Sequence, residues 1–362
     1  MTRDDSHSAS PTANGDGTQS GLSALDSLGW QPFFAQQTDA GELAETPPVR
    51  IIQAHRRGLH AVGDGIDILI PPGPEATVGD WLLLDRANPA ASRVLARKSL
   101  IKRRAPGSDR RIQLIAANID TAFIVTSCNQ DFNVARLERY IALAMEAGVT
   151  PVILLTKADL SESIDRYVEA ATAISDLVPV ITLDARGEEP LSRLAPWCQP
   201  GRTIAFLGSS GVGKSTLANA LAENQEIRTQ AIREDDAKGR HTTTRRQLHV
   251  LPGSCAVLDT PGMRGLEMTD AASGLADLFP DLHALTGQCR FNDCRHDAEP
   301  GCAVLAAVAS GDIDAPRLAR WKKLIAEEQF NTASLAERKA SGKALGKTSR
   351  QTQKRNRKKS RS

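Results

Sequence analysis

The stretch Gly208–Ser215 has the residue types and spacing of a phosphate-binding loop, G-x-x-x-x-G-K-[ST]. Its glycines allow backbone N–H groups to turn toward phosphates at the N-terminus of a following helix, which favours anions. Lys214 would reach the β- and γ-phosphates, and Ser215 would offer a hydroxyl to Mg²⁺. A glycine-rich turn that only joins a strand to a helix is the alternative, but the flanking segments favour the phosphate site. The predicted nucleotide contacts of this loop are Gly208, Ser209, Ser210, Gly211, Val212, Gly213, Lys214, Ser215 and Thr216.

A D-x-x-G element and a threonine-rich loop follow the phosphate loop along the chain. Ala256–Gly262 is an apolar run that ends in Asp259-Thr-Pro-Gly262, which resembles the D-x-x-G element of GTPases. Asp259 would hold the metal through a water molecule, and the N–H of Gly262 would sense the γ-phosphate. In the polar run before it, Thr243 and Thr244 are candidates for a second hydroxyl on Mg²⁺, which would close this loop only on the triphosphate form.

These motifs do not include an obvious group to position the attacking water. Met263 follows Gly262 where many GTPases carry glutamine, and a thioether cannot orient water. His241 is the best nearby substitute, so we predict a catalytic role for it. A surface histidine in a basic loop is the alternative.

The run Thr156-Lys157-Ala158-Asp159 resembles the N-K-x-D motif that selects guanine, and all four residues are predicted nucleotide contacts. The Asp159 carboxylate can accept both N–H groups of the guanine Watson–Crick edge, which adenine cannot satisfy. Lys157 would lie along the base plane. Thr156 stands where asparagine is usual, so an amide donor is lost. Asp184-Ala185-Arg186 is a candidate for the short element that backs the base, with an ordinary loop as the alternative.

The order of these motifs is permuted. The base motif precedes the phosphate loop, whereas ordinary GTPases place it after D-x-x-G. The same sheet can form from either order, but here the chain leaves the G-domain near Asp259 and Gly262. Whatever follows is therefore attached to the segment that responds to the γ-phosphate.

Four potential metal ligands lie close together: Cys289, Cys294, His296 and Cys302. Three thiolates and an imidazole suit tetrahedral Zn²⁺, and four protein ligands leave no open catalytic position. The predicted site is therefore structural and stabilises a small helical domain. A disulfide or an unligated cluster is the alternative. The other cysteines lie in or near apolar segments and are predicted to be buried thiols: Cys128, Cys198 and Cys255.

The hydrophobic pattern indicates which elements hold these motifs. From Val49 to about Leu114, short β-rich runs between glycine, proline and asparagine turns predict a small barrel or sandwich. From Thr121 strands and helices alternate, which predicts an α/β layer with a mostly parallel sheet. The predicted strands are 49–53, 66–70, 81–85, 92–96, 121–126, 152–155, 179–183, 203–207, one near Leu248, and 255–258. The predicted helices are 134–147, 161–177, one from Lys214, 303–309 and 315–329.

Composition and charge narrow the class of protein. With 41% hydrophobic and 24% charged residues the chain is globular, and no run approaches the roughly eighteen apolar residues of a membrane span. The N-terminus lacks the parts of a signal peptide, so we expect a cytoplasmic protein without membrane contact. The net charge of +2 conceals a basic tail: residues 338–362 carry 11 lysines and arginines and no acids, against 34 basic and 43 acidic residues elsewhere. This tail predicts a nucleic-acid contact or, alternatively, a solubilising segment.

Together these features resemble the RsgA family of ribosome small-subunit-dependent, circularly permuted GTPases. The resemblance implies an N-terminal OB-fold β-barrel, a circularly permuted α/β P-loop GTPase domain and a C-terminal helical zinc-binding domain. It also implies a role in late maturation of the small ribosomal subunit, whose binding stimulates hydrolysis, and a catalytic role for His241. It spans about residues 49–330 and rests on Gly79–Trp81, Ala116–Asp120, Thr156–Asp159, Gly208–Thr216, His241–Thr244, Asp259–Arg264 and the cysteine and histidine cluster. The N-terminal extension and Thr156 depart from the commonest pattern.

We therefore expect a multidomain chain: a disordered acidic N-terminal extension (1–46), an OB-fold that binds RNA (47–115), the permuted G-domain (116–285), the helical zinc-binding domain (286–335) and a disordered basic tail (336–362). The expected partners are GTP and GDP, the small ribosomal subunit and its rRNA; the expected cofactors are one structural Zn²⁺ and Mg²⁺ with GTP. We expect a monomer. Basic residues between Arg97 and Arg111 favour an RNA backbone or form an ordinary solvated face. The alternative function is a nucleotide-responsive RNA-binding module with hydrolysis as a slow timer, whereas Asp159 disfavours an ATPase or small-molecule kinase.

Overall fold

The computed structural model describes residues 23–55, 57–104, 112–187, 189–223, 246–251, 253–259 and 268–333. Within these residues the helices are α1 (Ala24–Ser27), α2 (Pro32–Ala35), α3 (Ala40–Glu45), α4 (Val134–Glu146), α5 (Ile164–Thr172), α6 (Glu189–Leu194), α7 (Lys214–Glu223), α8 (Ala272–Leu278), α9 (Pro280–Thr286), α10 (Ala303–Ser310) and α11 (Ala315–Thr332). The strands are β1 (Pro48–His55), β2 (Gly58–Gly63), β3 (Ile66–Ile70), β4 (Trp81–Leu83), β5 (Arg93–Val94), β6 (Leu100–Arg104), β7 (Ile112–Ala117), β8 (Thr121–Ser127), β9 (Thr150–Thr156), β10 (Val180–Thr182), β11 (Thr203–Leu207), β12 (Arg246–Val250) and β13 (Ala256–Asp259).

A mostly parallel sheet forms the centre of the α/β layer. Its strands lie in the order β10-β9-β8-β11-β13-β12, and only the β12–β13 pair among these described strands is antiparallel. Both β8 and β11 are buried along their whole length, because apolar clusters pack on both faces of the sheet. The predicted α/β layer with a parallel sheet is therefore confirmed. In the described part of the chain, no helix combines the length and apolar composition needed to cross a bilayer.

Antiparallel strands β1–β5 precede this layer and join it directly. Strand β1 pairs with β2 and β4, and its C-terminal end pairs with β12 at Gln53↔Gln247 and Ala54↔Arg246. One continuous sheet thus runs from the α/β layer into the β-rich segment. Strands β6 and β7 form a separate two-stranded sheet, and the predicted domain boundary between residues 115 and 116 falls inside β7. The β-rich character is as predicted, while the closed OB-fold stays a prediction.

The prediction that residues 1–46 are disordered is wrong for residues 24–45, where the short helices α1–α3 lie. Phe34 is 1% exposed, and its ring lies 5.9 Å from the rings of both Trp30 and Trp81. These aromatic side chains bury enough apolar surface to order a segment whose average composition is polar. Residues 1–22 lie outside the described part of the chain.

A fully buried arginine ties this N-terminal segment, the β-rich segment and the α/β layer together. Arg50 on β1 donates hydrogen bonds to the carbonyl oxygen of Leu28 and, over 2.7 Å, to the hydroxyl of Thr203 on β11. Burial lowers its pKa to about 10, although the charges of Asp120 and Asp80 oppose this shift. The guanidinium therefore stays charged at neutral pH. The strand that leads into the phosphate loop is consequently anchored at its start to both preceding segments.

Candidate nucleotide site and metal centre

The phosphate loop follows β11 and leads into α7, between a strand and a helix as predicted. Gly208 has φ 141°, and a Cβ placed on it would lie 2.2 Å from the carbonyl oxygen of Val125 on β8. Only glycine fits there, because such a contact is far inside van der Waals distance. Gly211 and Gly213 also have positive φ, at 76° and 98°. These conformations turn the backbone around a concave loop of the kind that cradles phosphate.

Lys214 and Ser215 occupy the first turn of α7. The Lys214 ammonium donates to the carbonyl oxygen of Gly208 over 3.0 Å and to that of Ser209. It therefore lies across the loop at the position where a β- or γ-phosphate would bind. The side chain of Ser215 is exposed at the helix N-terminus, where a hydroxyl is available to a Mg²⁺ ion that accompanies a nucleotide.

The base motif lies at the end of β9, at the same edge of the sheet as the phosphate loop. Strand β9 and strand β11, which leads into the loop, are separated only by β8, and all three strands are parallel. Thr156 ends β9, Lys157 has the left-handed φ of 56°, and Asp159 lies exposed in the short 3₁₀ turn Ala158–Leu160. Asp159 therefore lies exposed at the sheet edge where the phosphate loop also lies, and its contact with a base stays a prediction.

Thr156 connects the base motif to the phosphate loop through its side chain. Its fully buried hydroxyl lies 2.7 Å from the carbonyl oxygen of Val212 and 3.2 Å from that of Thr126. The sequence predicted that replacing asparagine loses a donor at this position. The structure shows that the threonine hydroxyl supplies a donor to the loop, so the two motifs stay connected.

The segment Asp184–Arg186 also reaches this site. A Cβ placed on Gly213 would lie 3.6 Å from the Cβ of Ala185 and 3.8 Å from Oγ1 of Thr156. The Asp184 carboxylate accepts a hydrogen bond from the N–H of Arg186 over 2.9 Å, which stabilises the local turn. Its assignment as the element that backs the base stays a prediction.

The remaining predicted nucleotide residues fall at or beyond the limit of the described chain. Asp259 is the last residue of β13, which is parallel to β11 and adjacent to it, so it ends beside the phosphate loop. His241, Thr243, Thr244 and Gly262 lie outside the described residues, as does Met263. Their predicted roles stay predictions.

Arg136 is a residue of this region that belongs to none of the sequence motifs. Its guanidinium donates to the hydroxyl of Ser209 in the phosphate loop from the first turn of α4. Helix α4 follows β8, the parallel neighbour of β11, so its N-terminus lies at the loop's edge of the sheet. The sequence signal for this residue was a basic side chain in the first turn of the helix after β8. That signal becomes informative only once β8 is known to lie next to β11.

Four donor atoms converge in the predicted metal centre. The sulfur and imidazole nitrogen atoms of Cys289, Cys294, His296 and Cys302 all lie within 4.8 Å of one another. Nδ1 of His296 is 3.4 Å from the Cys302 sulfur and 3.6 Å from the Cys289 sulfur. Ligands around a tetrahedral Zn²⁺, at about 2.0 to 2.3 Å from the ion, are separated by similar distances. The donor set and its geometry therefore fit a zinc ion.

The surroundings of the cluster favour the metal-binding form of His296 and Cys289, whereas desolvation and hydrogen bonds with Cys302 and Cys289 raise the pKa of the Cys294 thiol to about 11. Desolvation lowers the pKa of His296, and the Lys322 charge adds to this effect against the opposing charges of Glu299 and Asp297, so the neutral imidazole is favoured. Desolvation raises the pKa of the Cys289 thiol, but the backbone N–H groups of Ala303 and Val304 at the start of α10, together with hydrogen bonds from Cys302 and Cys294, lower the pKa overall. Neutral imidazole and thiolate are the forms that coordinate Zn²⁺.

The last helix, α11, connects the metal centre to the α/β layer. Lys322 donates to the carbonyl oxygen of His296 over 3.1 Å. Two residues earlier Arg320 donates to both carboxylate oxygens of Glu138 on α4, over 2.9 and 3.0 Å. Burial raises the pKa of Glu138, against the opposing effect of Arg320. At the end of α11 the Thr332 hydroxyl accepts from the N–H of Asp270 over 2.9 Å, close behind D-x-x-G in the sequence.

Known proteins with similar sequences show the family to which this chain is related. A sequence model described as RsgA GTPase matches residues 94–269. The protein named small ribosomal subunit biogenesis GTPase RsgA from Mesorhizobium japonicum is 49% identical over 317 residues, which is 85% of this chain and 91% of that protein. Small ribosomal subunit biogenesis GTPase RsgA 2 from Vibrio parahaemolyticus is 45% identical over 322 residues, 88% of this chain and 90% of the relative.

Solved structures are similar over most of their length. The crystal structure of YjeQ from Thermotoga maritima superposes with a TM-score of 0.55 at 25% identity, covering 77% of this chain and 97% of that one. The crystal structure of YloQ, described as a circularly permuted GTPase, also superposes with a TM-score of 0.55. It is 22% identical, and the match covers 82% of this chain and 100% of that one. At that identity the second likeness concerns the fold alone. It confirms the circularly permuted GTPase fold that the motif order predicts.

Proposed function

The chain belongs to the RsgA GTPase family, and we propose that it acts on the small ribosomal subunit during late maturation. It hydrolyses GTP to GDP and phosphate. In this proposal binding to the subunit stimulates turnover, and hydrolysis releases the protein from the subunit. The observation that carries the nucleotide part is the meeting of the base motif and phosphate loop at one sheet edge, joined by the Thr156 hydroxyl.

Base selection rests on Asp159 in this proposal. Its carboxylate accepts the two N–H groups of the guanine edge, while Lys157 lies along the ring. An Asp159→Asn variant would present an amide, which matches the carbonyl that xanthine carries in place of the guanine amino group. We expect Asp159→Asn to lose GTP binding and to gain xanthosine triphosphate binding, measured by competition with a fluorescent nucleotide. Unchanged GTP affinity in this variant would contradict the assignment.

The phosphates are held by the loop N–H groups of Gly208–Gly213 and by Lys214. Mg²⁺, carried in with GTP, would neutralise part of the phosphate charge, and Ser215 is the described residue that offers it a hydroxyl. The other residues proposed for the closed state are Asp259, Gly262, Thr243 and Thr244, with His241 proposed to orient the attacking water.

The zinc centre is structural in this proposal. Its four ligands are all supplied by the chain, and the Arg320–Glu138 pair holds the domain against α4. RNA contacts are assigned to an OB-fold in residues 47–115 and to the basic tail, with Lys102 and Arg103 on β6 among the described cations. A cytoplasmic monomer fits these roles.

Measuring GTP hydrolysis with and without purified small ribosomal subunits tests the function. We expect a higher turnover number with subunits, and no increase with large subunits as the matched control. The alternative, a nucleotide-responsive RNA-binding module with a slow timer, is favoured by Met263, which provides no group to orient water. It predicts nucleotide-dependent subunit binding without stimulated turnover.

A further inference from the structure

Two cations converge on one residue of the phosphate loop. The Lys214 ammonium donates to the backbone carbonyl of Ser209, and the Arg136 guanidinium donates to the hydroxyl of the same residue. The G-x-x-x-x-G-K-[ST] motif accounts for Lys214. Arg136 belongs to no motif, and it reaches the loop from a separate helix, 73 positions away in the sequence.

Helix stability does not explain an arginine at this position. The N-cap of α4 is Asn133, whose side chain accepts the N–H of Arg136 over 2.9 Å, so Arg136 lies in the first turn. Backbone N–H groups give that end of a helix a partial positive charge, which disfavours a cation.

Arg136 also lacks a counter-charge in the part of the chain that the structure describes. There, no carboxylate oxygen lies within 4.0 Å of its guanidinium nitrogens, and its side-chain contact is the neutral Ser209 hydroxyl. Arg139, one turn further along α4, pairs with Glu327 at 2.8 Å. Among the described residues the guanidinium thus has no carboxylate partner, and it stands beside a phosphate-binding loop where an anion would offset its charge.

We propose that Arg136 is a phosphate ligand supplied by the chain itself, which stabilises the charge that develops on the γ-phosphoryl oxygens during hydrolysis. Water attacks the γ-phosphorus while the bond to the β–γ bridging oxygen breaks, giving GDP and phosphate. The guanidinium exchanges its bond to the Ser209 hydroxyl for hydrogen bonds to the γ-phosphoryl oxygens, and it transfers no proton. Guanidinium groups provide such stabilisation in other phosphoryl-transfer enzymes. This inference rests on the proposed GTP hydrolysis.

The experiment compares Arg136→Ala and Arg136→Lys with Arg139→Ala, the matched control on the same helix. Single-turnover GTP hydrolysis is measured at saturating nucleotide, with and without small ribosomal subunits. Affinities are measured for GDP alone and for GDP with aluminium fluoride, which imitates the γ-phosphoryl group in transit. We expect Arg136→Ala to slow hydrolysis about a hundredfold or more and to lose the added affinity from aluminium fluoride, while GDP affinity stays within about twofold. The hydrolysis rate of Arg136→Lys should lie between those of Arg136→Ala and the unaltered protein, and Arg139→Ala should match the unaltered protein.

Two results would overturn the inference. One is an unchanged hydrolysis rate in Arg136→Ala. Another is an equal loss of GDP and GDP–aluminium fluoride affinity, which would mean that Arg136 only maintains the shape of the loop. Failure of the unaltered protein to hydrolyse GTP would instead overturn the proposed function, so the two failures are distinguishable.

Discussion

Replacing Thr156 by valine tests whether the base motif and the phosphate loop act as one unit. Valine has nearly the same shape but no hydroxyl, so the carbonyl oxygen of Val212 loses a donor 2.7 Å away in a buried setting. An unsatisfied buried acceptor costs about 1 to 3 kcal/mol. In the nucleotide-free protein the loop can reduce this cost by shifting its exposed residues Ser210 and Gly211. The nucleotide-bound protein requires the original loop geometry and cannot do so. Most of the cost should therefore appear in binding.

That cost corresponds to a loss of affinity of about 5- to 150-fold. GDP and GTP should weaken together, because the bond lies between the base and the loop and not at the γ-phosphate. The assay is titration of each variant with fluorescent GDP and with a non-hydrolysable GTP analogue. Thr156→Ser retains the hydroxyl and should bind almost normally. Thr150→Val alters an exposed threonine at the opposite end of the same strand and serves as the matched control.

Thermal unfolding of the nucleotide-free variants completes this test. Unaltered affinity for both nucleotides in a folded Thr156→Val protein would refute the reasoning. So would a full loss of stability without loss of affinity, because the bond would then contribute equally to the free and bound states.

Three further predictions concern the other parts of the molecule. Phe34→Ala should lower the free energy of unfolding by about 3 to 5 kcal/mol, because the ring is buried between two tryptophans. Phe33 is 39% exposed, so Phe33→Ala should lower it by about 1 kcal/mol or less. Denaturant titration followed by tryptophan fluorescence compares the two variants. Cys302→Ser should abolish stoichiometric zinc in elemental analysis and make α10 and α11 sensitive to protease. Cys198→Ser should retain the metal, and zinc retained by Cys302→Ser would contradict the ligand set. His241→Ala should slow GTP hydrolysis while GTP affinity stays near normal, and an unchanged rate would return this residue to an ordinary surface role.

The elements that the sequence predicts best are those whose signals are local. Strand β11 occupies the predicted residues 203–207, because a continuous apolar run meets the glycine-rich loop that ends it. The predicted helix 303–309 is observed as Ala303–Ser310, which ends at Gly311 in a left-handed conformation. The phosphate loop and the base motif are similarly readable, since each consists of contiguous residues with fixed roles.

The elements that the sequence did not reveal depend on distant partners. Helices α1–α3 are ordered by Phe34 against Trp81, a contact between residues far apart in the chain. Strand β6 contains a basic run that resembles a solvated loop until its pairing with β7 is known. The roles of Arg136 and of the Thr156 hydroxyl likewise follow from the strand order, which brings β9, β8 and β11 together.

Strand β12 has a consequence for any attempt to isolate the GTPase domain. It is paired on one side with β13 and on the other, through Gln247 and Arg246, with β1. A fragment that begins after β7 would leave those backbone N–H and C=O groups open, and would also remove Arg50 from Thr203. Unprotected sheet edges recruit other chains, so such a fragment should self-associate at concentrations where the full chain stays dispersed. We therefore expect the β-rich segment also to protect the GTPase sheet from aggregation.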